Sequence, residues 1–300
     1  MRYINDLLSQ INKDRKVKLI VAVAEDDHVL KAVYKAKKEG LIKPLLIGDK
    51  DQILMISKSL HLMFDEDEII DEKDKVEACR LSVSMTRNDD RSVLMKGIVD
   101  SSIILRAALK EDEGLRTDKL ISHVSILEIP NYHKLLVITD GAMNTYPDVM
   151  QKQKITDNAI EFCHLLGLKQ PKVGCIAAIE KVNPKMQATL DCDILKSHYE
   201  PYKDQVLFGG PYALDNAINQ EAAHHKGIVD DIAGDVDVLL MPQIESGNVF
   251  YKSMVFLANA KSASVILGTT NPMVLTSRAD SIETKYNSIL LASILVDKIK

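Results

Sequence analysis

The sequence predicts an α/β protein built on mainly parallel sheet, and three features of its pattern predict it. Short apolar runs rich in Val, Ile and Leu recur along the 300 residues, longer amphipathic stretches separate them, and glycines stand where helices would end. The runs are continuous rather than alternating, as strands covered on both faces require.

The first strand is expected over residues 19–24. Residues 28–39 follow with helical spacing and stop at Gly40, which is free to take the left-handed conformation that ends a helix. Further strands are expected at 45–47, 93–95, 124–129, 135–139, 173–178, 206–208, 238–241 and 265–267. A helix over 148–166 stops at Gly167, and a last one runs over 280–298. The runs at 124–129 and 135–139 are joined by a loop too short for a helical crossover, which predicts an antiparallel hairpin. This break in the βα rhythm sets the expected division: 1–132 plus 278–300 as a first α/β domain and 133–277 as a second. The acidic run 65–74 lacks an EF-hand pattern and reads as a solvated turn and helix start.

With 46% hydrophobic and 27% charged residues the chain can bury a large core. Its net charge of -5 gives no basic field for nucleic acid, so an anionic ligand has to be held by local donors. Cys79, Cys163, Cys175 and Cys192 are widely spaced, with no metal-binding pattern, and read as reduced, buried thiols. No apolar stretch reaches the roughly 18 residues of a membrane span, and the first apolar run is too short for a signal segment. A cytoplasmic protein without membrane or nucleic-acid partners is expected.

Four clusters could carry chemistry. Residues 268–281 join a strand to a long helix and hold Ser277, Arg278 and Asp280. Such a junction aims backbone N–H groups and a helix dipole at the carboxyl edge of a sheet, and arginine adds a fork suited to phosphate. Asp280 with Glu283 reads equally as a helix cap. Residues 242–252 place Gly247, where backbone can approach closely, beside Asn248, expected to open a helix, with Lys252 one turn on. Gly209 and Gly210, followed by Asp215, suit either a ligand or a tight turn. Lys96-Gly97, Arg106 and Arg116 put cations near another strand exit, where surface ion pairs would also explain them. Phosphate-binding loops of nucleotide enzymes, a hydrolase elbow and metalloprotease patterns do not occur, and His224-His225 reads as a solvent-facing pair.

Together these clusters resemble the phosphate acetyltransferase and phosphate butyryltransferase family, the butyryl branch more closely. The pieces that carry the resemblance include Leu94-Met-Lys-Gly97, Asp140-Gly-Ala-Met-Asn144, Val182-Asn-Pro-Lys-Met186, Gly210-Pro-Tyr-Ala-Leu-Asp-Asn-Ala217, Ala233-Gly-Asp235, Ile244-Glu-Ser-Gly-Asn248 with Tyr251-Lys252, and Val274-Leu-Thr-Ser-Arg278. The likeness implies two three-layer α/β domains with a cleft between them, as in isocitrate and isopropylmalate dehydrogenases. It implies transfer of a short acyl group, butyryl or branched, between coenzyme A and inorganic phosphate by direct attack. No metal, redox cofactor or covalent enzyme intermediate is implied; coenzyme A is a substrate, and a homodimer or larger assembly is expected.

In the acetyl branch a Ser-Arg-Gly-x-Ser-x-x-Asp motif supplies a serine for the thiol, an arginine for phosphate and an aspartate base. Here Ser277 and Arg278 match, while Ala279 replaces the glycine and Thr284 the aspartate. A thiol with a pKa of about 8.5 needs help to ionise near neutrality, so Asp280 is assigned as base and Glu283 as its substitute. By the same resemblance Arg106 and Lys252 are assigned to the acyl phosphate; Asn248, Gly247 and Arg116 join them as expected substrate- or phosphate-binding residues, and Gly210 and Asp215 are expected to bind the cofactor-like substrate, coenzyme A. Phe256, where acetyl-branch relatives tend to have arginine, makes the pocket more apolar. Three rival readings stand beside this one: a metal- and NADP-dependent decarboxylating dehydrogenase, an acyl phosphate synthase using acyl carrier protein, and an acyl-CoA or acyl phosphate binding module without turnover.

Overall fold

In the computed structural model, which describes residues 1–11 and 15–299, the first apolar run forms β1 (Val17–Ala22). α1 (Asp27–Lys38) is capped by the Asp26 carboxylate, which accepts from the Val29 N–H at 2.8 Å, and it ends before Gly40 at φ +75°. β2 (Ile42–Gly48), α2 (Lys50–Ser59), β3 (Ile69–Asp71), α3 (Lys75–Arg87), β4 (Ser92–Lys96) and α4 (Ser101–Ala108) complete the first stretch. The acidic run thus contains a short edge strand, β3, before Asp74 caps α3 through the N–H groups of Val76 and Glu77. Asp65 and Glu68 pair with Lys37 at 3.0 and 2.6 Å.

The chain then forms β5 (Ser122–Glu128) and β6 (Leu136–Thr139), paired antiparallel as the short loop requires. α5 (Val149–Leu165) ends before Gly167 at φ +95°, and β7 (Lys172–Ile176), α6 (Gln187–Tyr199), β8 (Leu207–Tyr212), α7 (Leu214–Ile218), α8 (Gln220–His225), β9 (Val238–Leu240) and α9 (Ile244–Leu257) follow. Last come β10 (Lys261–Leu267), β11 (Met273–Val274) and α10 (Ile282–Ile299).

Two compact α/β units result. One comprises Ile4–Lys119 and Ser262–Lys300, the other Met1–Tyr3 and Leu120–Lys261. The hairpin β5–β6 therefore lies whole within the second unit, and both crossings fall before the expected boundaries at 132 and 278. In the first unit the strands run β3-β2-β1-β4-β11-β10. All neighbours are parallel except β10 and β11, which turn back on each other at Ile266 and Met273. α10 is buried through most of its length, with Ile289, Leu290, Leu291 and Ala292 wholly inaccessible, and each large side chain hidden this way stabilises by about 1.5–3 kcal/mol. It meets α1 where Lys35 Nζ lies 3.8 Å above the Tyr286 ring and the Tyr286 hydroxyl donates to Glu39.

The second unit orders its strands β5-β6-β9-β7-β8 around a core that includes Leu127, Ile138, Ile176, Tyr212, Val236 and Leu239. Asp235, quoted above for the resemblance, anchors a charged cluster: it accepts from Lys172 at 2.5 Å, Lys134 at 2.9 Å and His133 at 2.8 Å. One sequence expectation is corrected here. Cys175 and Cys192 form a disulfide between β7 and α6, with Cα atoms 5.6 Å apart, so only Cys79 and Cys163 are free, buried thiols.

Candidate active site

In the first unit the site begins with β11, which the sequence pattern did not show. Because β11 lies parallel to β4, pairing Val274 with Met95, the segment that follows it leaves the sheet beside the end of β4, at Lys96 and Gly97. Gly97 packs so closely under the end of β1 that a Cβ there would lie 2.0 Å from the Val23 carbonyl oxygen. Only glycine lets the two strand ends meet.

The turn after β11 is closed by its own side chains. Asp280 is buried, and its Oδ2 accepts from the Ser277 N–H at 2.7 Å. Lys285, one turn into α10, donates to the carbonyls of Ser277 at 2.8 Å and Asp280 at 3.1 Å. Ser277 and Arg278 are thereby presented at the surface on a fixed turn. The reading of Asp280 as helix cap is replaced: α10 starts at Ile282, and the Ser281 hydroxyl accepts from the Thr284 N–H at 3.0 Å. Thr284, at the place of the acetyl-branch aspartate, is buried among the hydroxyls of Ser262 and Ser281, both at 3.2 Å. Glu283 is exposed on the first turn of the helix.

Charge concentrates at this edge. Arg278 donates to Asp100 at 2.6 Å, both side chains being well exposed. Lys96 is buried; burial first, then the positive charges of Arg278 and Lys285, hold its ammonium below the ordinary lysine range, against the opposing pull of Asp280 and Asp100. Burial likewise lowers Lys285, with Asp280 opposing. Arg106, in the last turn of α4, is exposed, and no hydrogen bond or ion pair among the described residues ties it to this turn. Arg116 is also exposed and is placed by a backbone bridge to Thr269.

In the second unit β6 ends on Asp140-Gly141, and α9 lies against it. The Asp140 carboxylate is buried and accepts from the N–H groups of Ala142 and Met143 at 2.8 and 2.9 Å and from Asn144 Nδ2 at 2.7 Å. A Cβ on Gly247 would sit 2.8 Å from both the Asp140 carbonyl oxygen and Gly141 Cα, which is the close backbone approach expected of this glycine. Asn248 Nδ2 donates to the Gly141 carbonyl at 3.3 Å. Asn248 does not open the helix: α9 begins at Ile244 because Gln243 supplies the cap, accepting from the Ser246 N–H at 2.9 Å. Lys252 is exposed without a hydrogen bond or ion pair among the described residues, and Phe256 one turn later is exposed too.

Gly210 and Asp215 have local explanations. A Cβ on Gly210, at φ +125°, would meet the Cys175 carbonyl at 2.7 Å, so the packing of β8 on β7 requires glycine. Asp215 pairs with Lys226 at 3.1 Å. Sequence reasoning set Lys96 in one of its four clusters without giving it a role and named no role for Thr276, Lys285 or Asp100; a lysine ending an otherwise apolar strand was the available signal. Among the described residues no group of His, Cys, Asp and Glu is arranged to hold a metal ion, and no helix is long and apolar enough to cross a membrane.

The chain matches the phosphate acetyl/butaryl transferase family over residues 3–80 and 75–293. It is 40% identical over 294 residues to a phosphate butyryltransferase of Clostridium acetobutylicum, covering 97% of each chain. It is 41% identical over 288 residues to a phosphate acetyltransferase of Thermotoga maritima, covering 96% of this chain and 98% of that one. Among solved structures, a branched-chain phosphotransacylase from Enterococcus faecalis V583 superimposes with a TM-score of 0.83 at 31% identity, covering 94% of this chain and 99% of the other.

Proposed function

The chain belongs to the phosphate acetyl/butyryl transferase family, and from that premise we propose that it moves a short acyl group, butyryl or branched, between coenzyme A and inorganic phosphate. The observation that carries the reading is the turn from Ser277 to Asp280, locked by Asp280 and Lys285 at an edge where Lys96, Lys285 and Arg278 outweigh Asp280 and Asp100 in charge. In a chain of net charge -5 such a local excess of cations suits a dianionic acyl phosphate.

In the proposed step the coenzyme A sulfur attacks the acyl carbonyl, the carbon–oxygen bond to phosphate breaks, and phosphate leaves with its electron pair. Ser277 orients the thiol and Asp280 takes its proton. Arg278, with Arg106 and Arg116, meets phosphoryl oxygens and the charge that develops on the carbonyl. Within the second unit, Lys252, Asn248 and Gly247 are the proposed substrate ligands, and Gly210 and Asp215 those for coenzyme A. The scheme uses neither metal nor redox cofactor. The reading further places the protein in the cytoplasm as a homodimer or larger assembly, which sizing by light scattering would test.

Release of free thiol from butyryl-CoA, with and without inorganic phosphate, tests the function; acetyl-, isobutyryl- and isovaleryl-CoA rank the chains. Phosphate-dependent release is expected. Ligand binding without release would move the reading to a binding module, and activity only with acyl carrier protein to an acyl phosphate synthase.

A further inference from the structure

Lys96 is the last residue of β4 and is 5% exposed. A lysine whose stem is buried usually carries its ammonium out to water or sets it against a carboxylate. Lys96 does neither. Among the described residues no Asp or Glu lies within 4 Å of its Nζ, and its hydrogen bonding is one long contact, 3.4 Å, to the Val99 carbonyl. Two of its three donors are left over in a place where an unpartnered charge costs several kcal/mol.

A second orphaned group lies on the segment that follows β11. Thr276 is 4% exposed, and its hydroxyl has no hydrogen-bond partner among the described residues. The register that pairs Val274 with Met95 sets the next residues of that segment beside Lys96 and Gly97, at the same sheet edge as the Ser277 turn. The ammonium and the hydroxyl are both buried at one sheet edge and both short of partners among the described residues, and an anion with several oxygens would satisfy such donors. Burial, then repulsion from Arg278 and Lys285, makes the ammonium costly to hold charged, and a dianion arriving there would offset that cost by direct attraction.

We propose that Lys96 is a phosphate-binding residue of this site, donating to a phosphoryl oxygen of the acyl phosphate, or of inorganic phosphate in the reverse direction, with the Thr276 hydroxyl as its companion donor. The inference rests on the phosphate acyltransferase reading and adds two residues to it. Coenzyme A also carries phosphate groups, so the test separates the two sources.

The experiment measures phosphate-dependent thiol release from butyryl-CoA by the full chain and by Lys96→Met, Lys96→Arg and Thr276→Val, varying each substrate in turn. Lys96→Met is expected to raise KM for phosphate by about tenfold or more, the scale of a lost charge-assisted hydrogen bond, with KM for butyryl-CoA within about twofold. Lys96→Arg should recover part of that loss. Thr276→Val should raise KM for phosphate by about threefold. Because Lys96→Met removes an uncompensated buried charge, its thermal midpoint should not fall. An unchanged KM for phosphate in folded Lys96→Met overturns the proposal, and so does a rise confined to butyryl-CoA. Should Lys96→Met fail to fold, Thr276→Val decides by the same criterion. If the wild-type chain releases no thiol with phosphate, the acyltransferase reading falls separately. The rise in thermal midpoint on adding inorganic phosphate, present in wild type and absent in Lys96→Met, then tests the binding residue alone.

Discussion

Replacing Asp100 by Asn should tighten phosphate binding. Asp100 holds the Arg278 guanidinium at 2.6 Å, and the two side chains are 62% and 72% exposed on the arginine and aspartate sides. An exposed ion pair of this kind is worth about 0.2–1 kcal/mol, and a phosphate dianion that takes Arg278 as ligand has to displace it. Removing the competitor returns at most that amount, so KM for phosphate should fall by up to about fivefold. The helix pays little, because Asp100 sits at the N-cap of α4 without a side-chain cap bond. The assay is phosphate-dependent thiol release over a phosphate titration, at low salt and again at about 1 M salt, where screening to about 3 Å should shrink the effect. In an Arg278→Met background the effect of Asp100→Asn should largely vanish, since the two changes act on one pair. A higher KM for phosphate in Asp100→Asn, or the same decrease with Arg278 absent, would refute the assignment of Arg278 as a phosphate ligand held in check by Asp100.

Asp280→Asn keeps an oxygen that accepts from the Ser277 N–H but removes the proposed base, so kcat should fall by about 100-fold or more with little change in thermal midpoint; a near-normal rate would exclude Asp280. Gly97→Ala places a Cβ 2.0 Å from the Val23 carbonyl and should destabilise by about 1–3 kcal/mol in urea unfolding. Burial pushes the Cys79 thiol up to about 11 and raises Cys163 as well, so neither should react with a thiol reagent in the native state near neutral pH. Denaturation without reductant should expose two thiols and reduction four, given the Cys175–Cys192 disulfide. Burial alone would raise the Asp235 carboxyl, yet hydrogen bonds from Lys172, Lys134 and His133 hold it well below the usual carboxylate range. Its contribution is therefore present above the unfolded pKa of about 4 and lost as pH falls through the lower folded value, so Asp235→Asn should cost stability near neutrality, by about 1.5–3 kcal/mol, and progressively less in acid.

What could be read from the sequence was what local chemistry decides. Gly40 and Gly167 end α1 and α5 because only the residue itself has to tolerate positive φ, and the hairpin β5–β6 follows from the length of its loop. β3 and β11 escaped because they are three and two residues long, and such segments become strands only through partners far away in sequence: Ile69 beside Leu46, Val274 beside Met95. The disulfide is a tertiary fact of the same kind, since the spacing of Cys175 and Cys192 does not show that β7 and α6 bring them together.

The site divides along the same line. Ser277, Arg278 and Asp280 stood out as a cluster because they are adjacent in the chain, but what Asp280 does depends on whether the helix starts at Ile282 and takes Ser281 as its cap. Once Ser281 fills that role, the buried Asp280 carboxylate is left to the turn and to the charges beside it. Lys96 was legible as a residue and hidden as a ligand, because its meaning comes from β11 running alongside β4, and β11 is a feature that no local pattern marks. Gly210 shows the converse: its glycine is explained by the carbonyl of Cys175 lying across from it. A glycine next to a strand therefore signals a close approach without saying to what, whereas a buried cation lacking a carboxylate names the chemistry of what it lacks. For finding an anion site in an acidic protein, the second kind of signal is the more specific, and it becomes visible only when the sheet order is known.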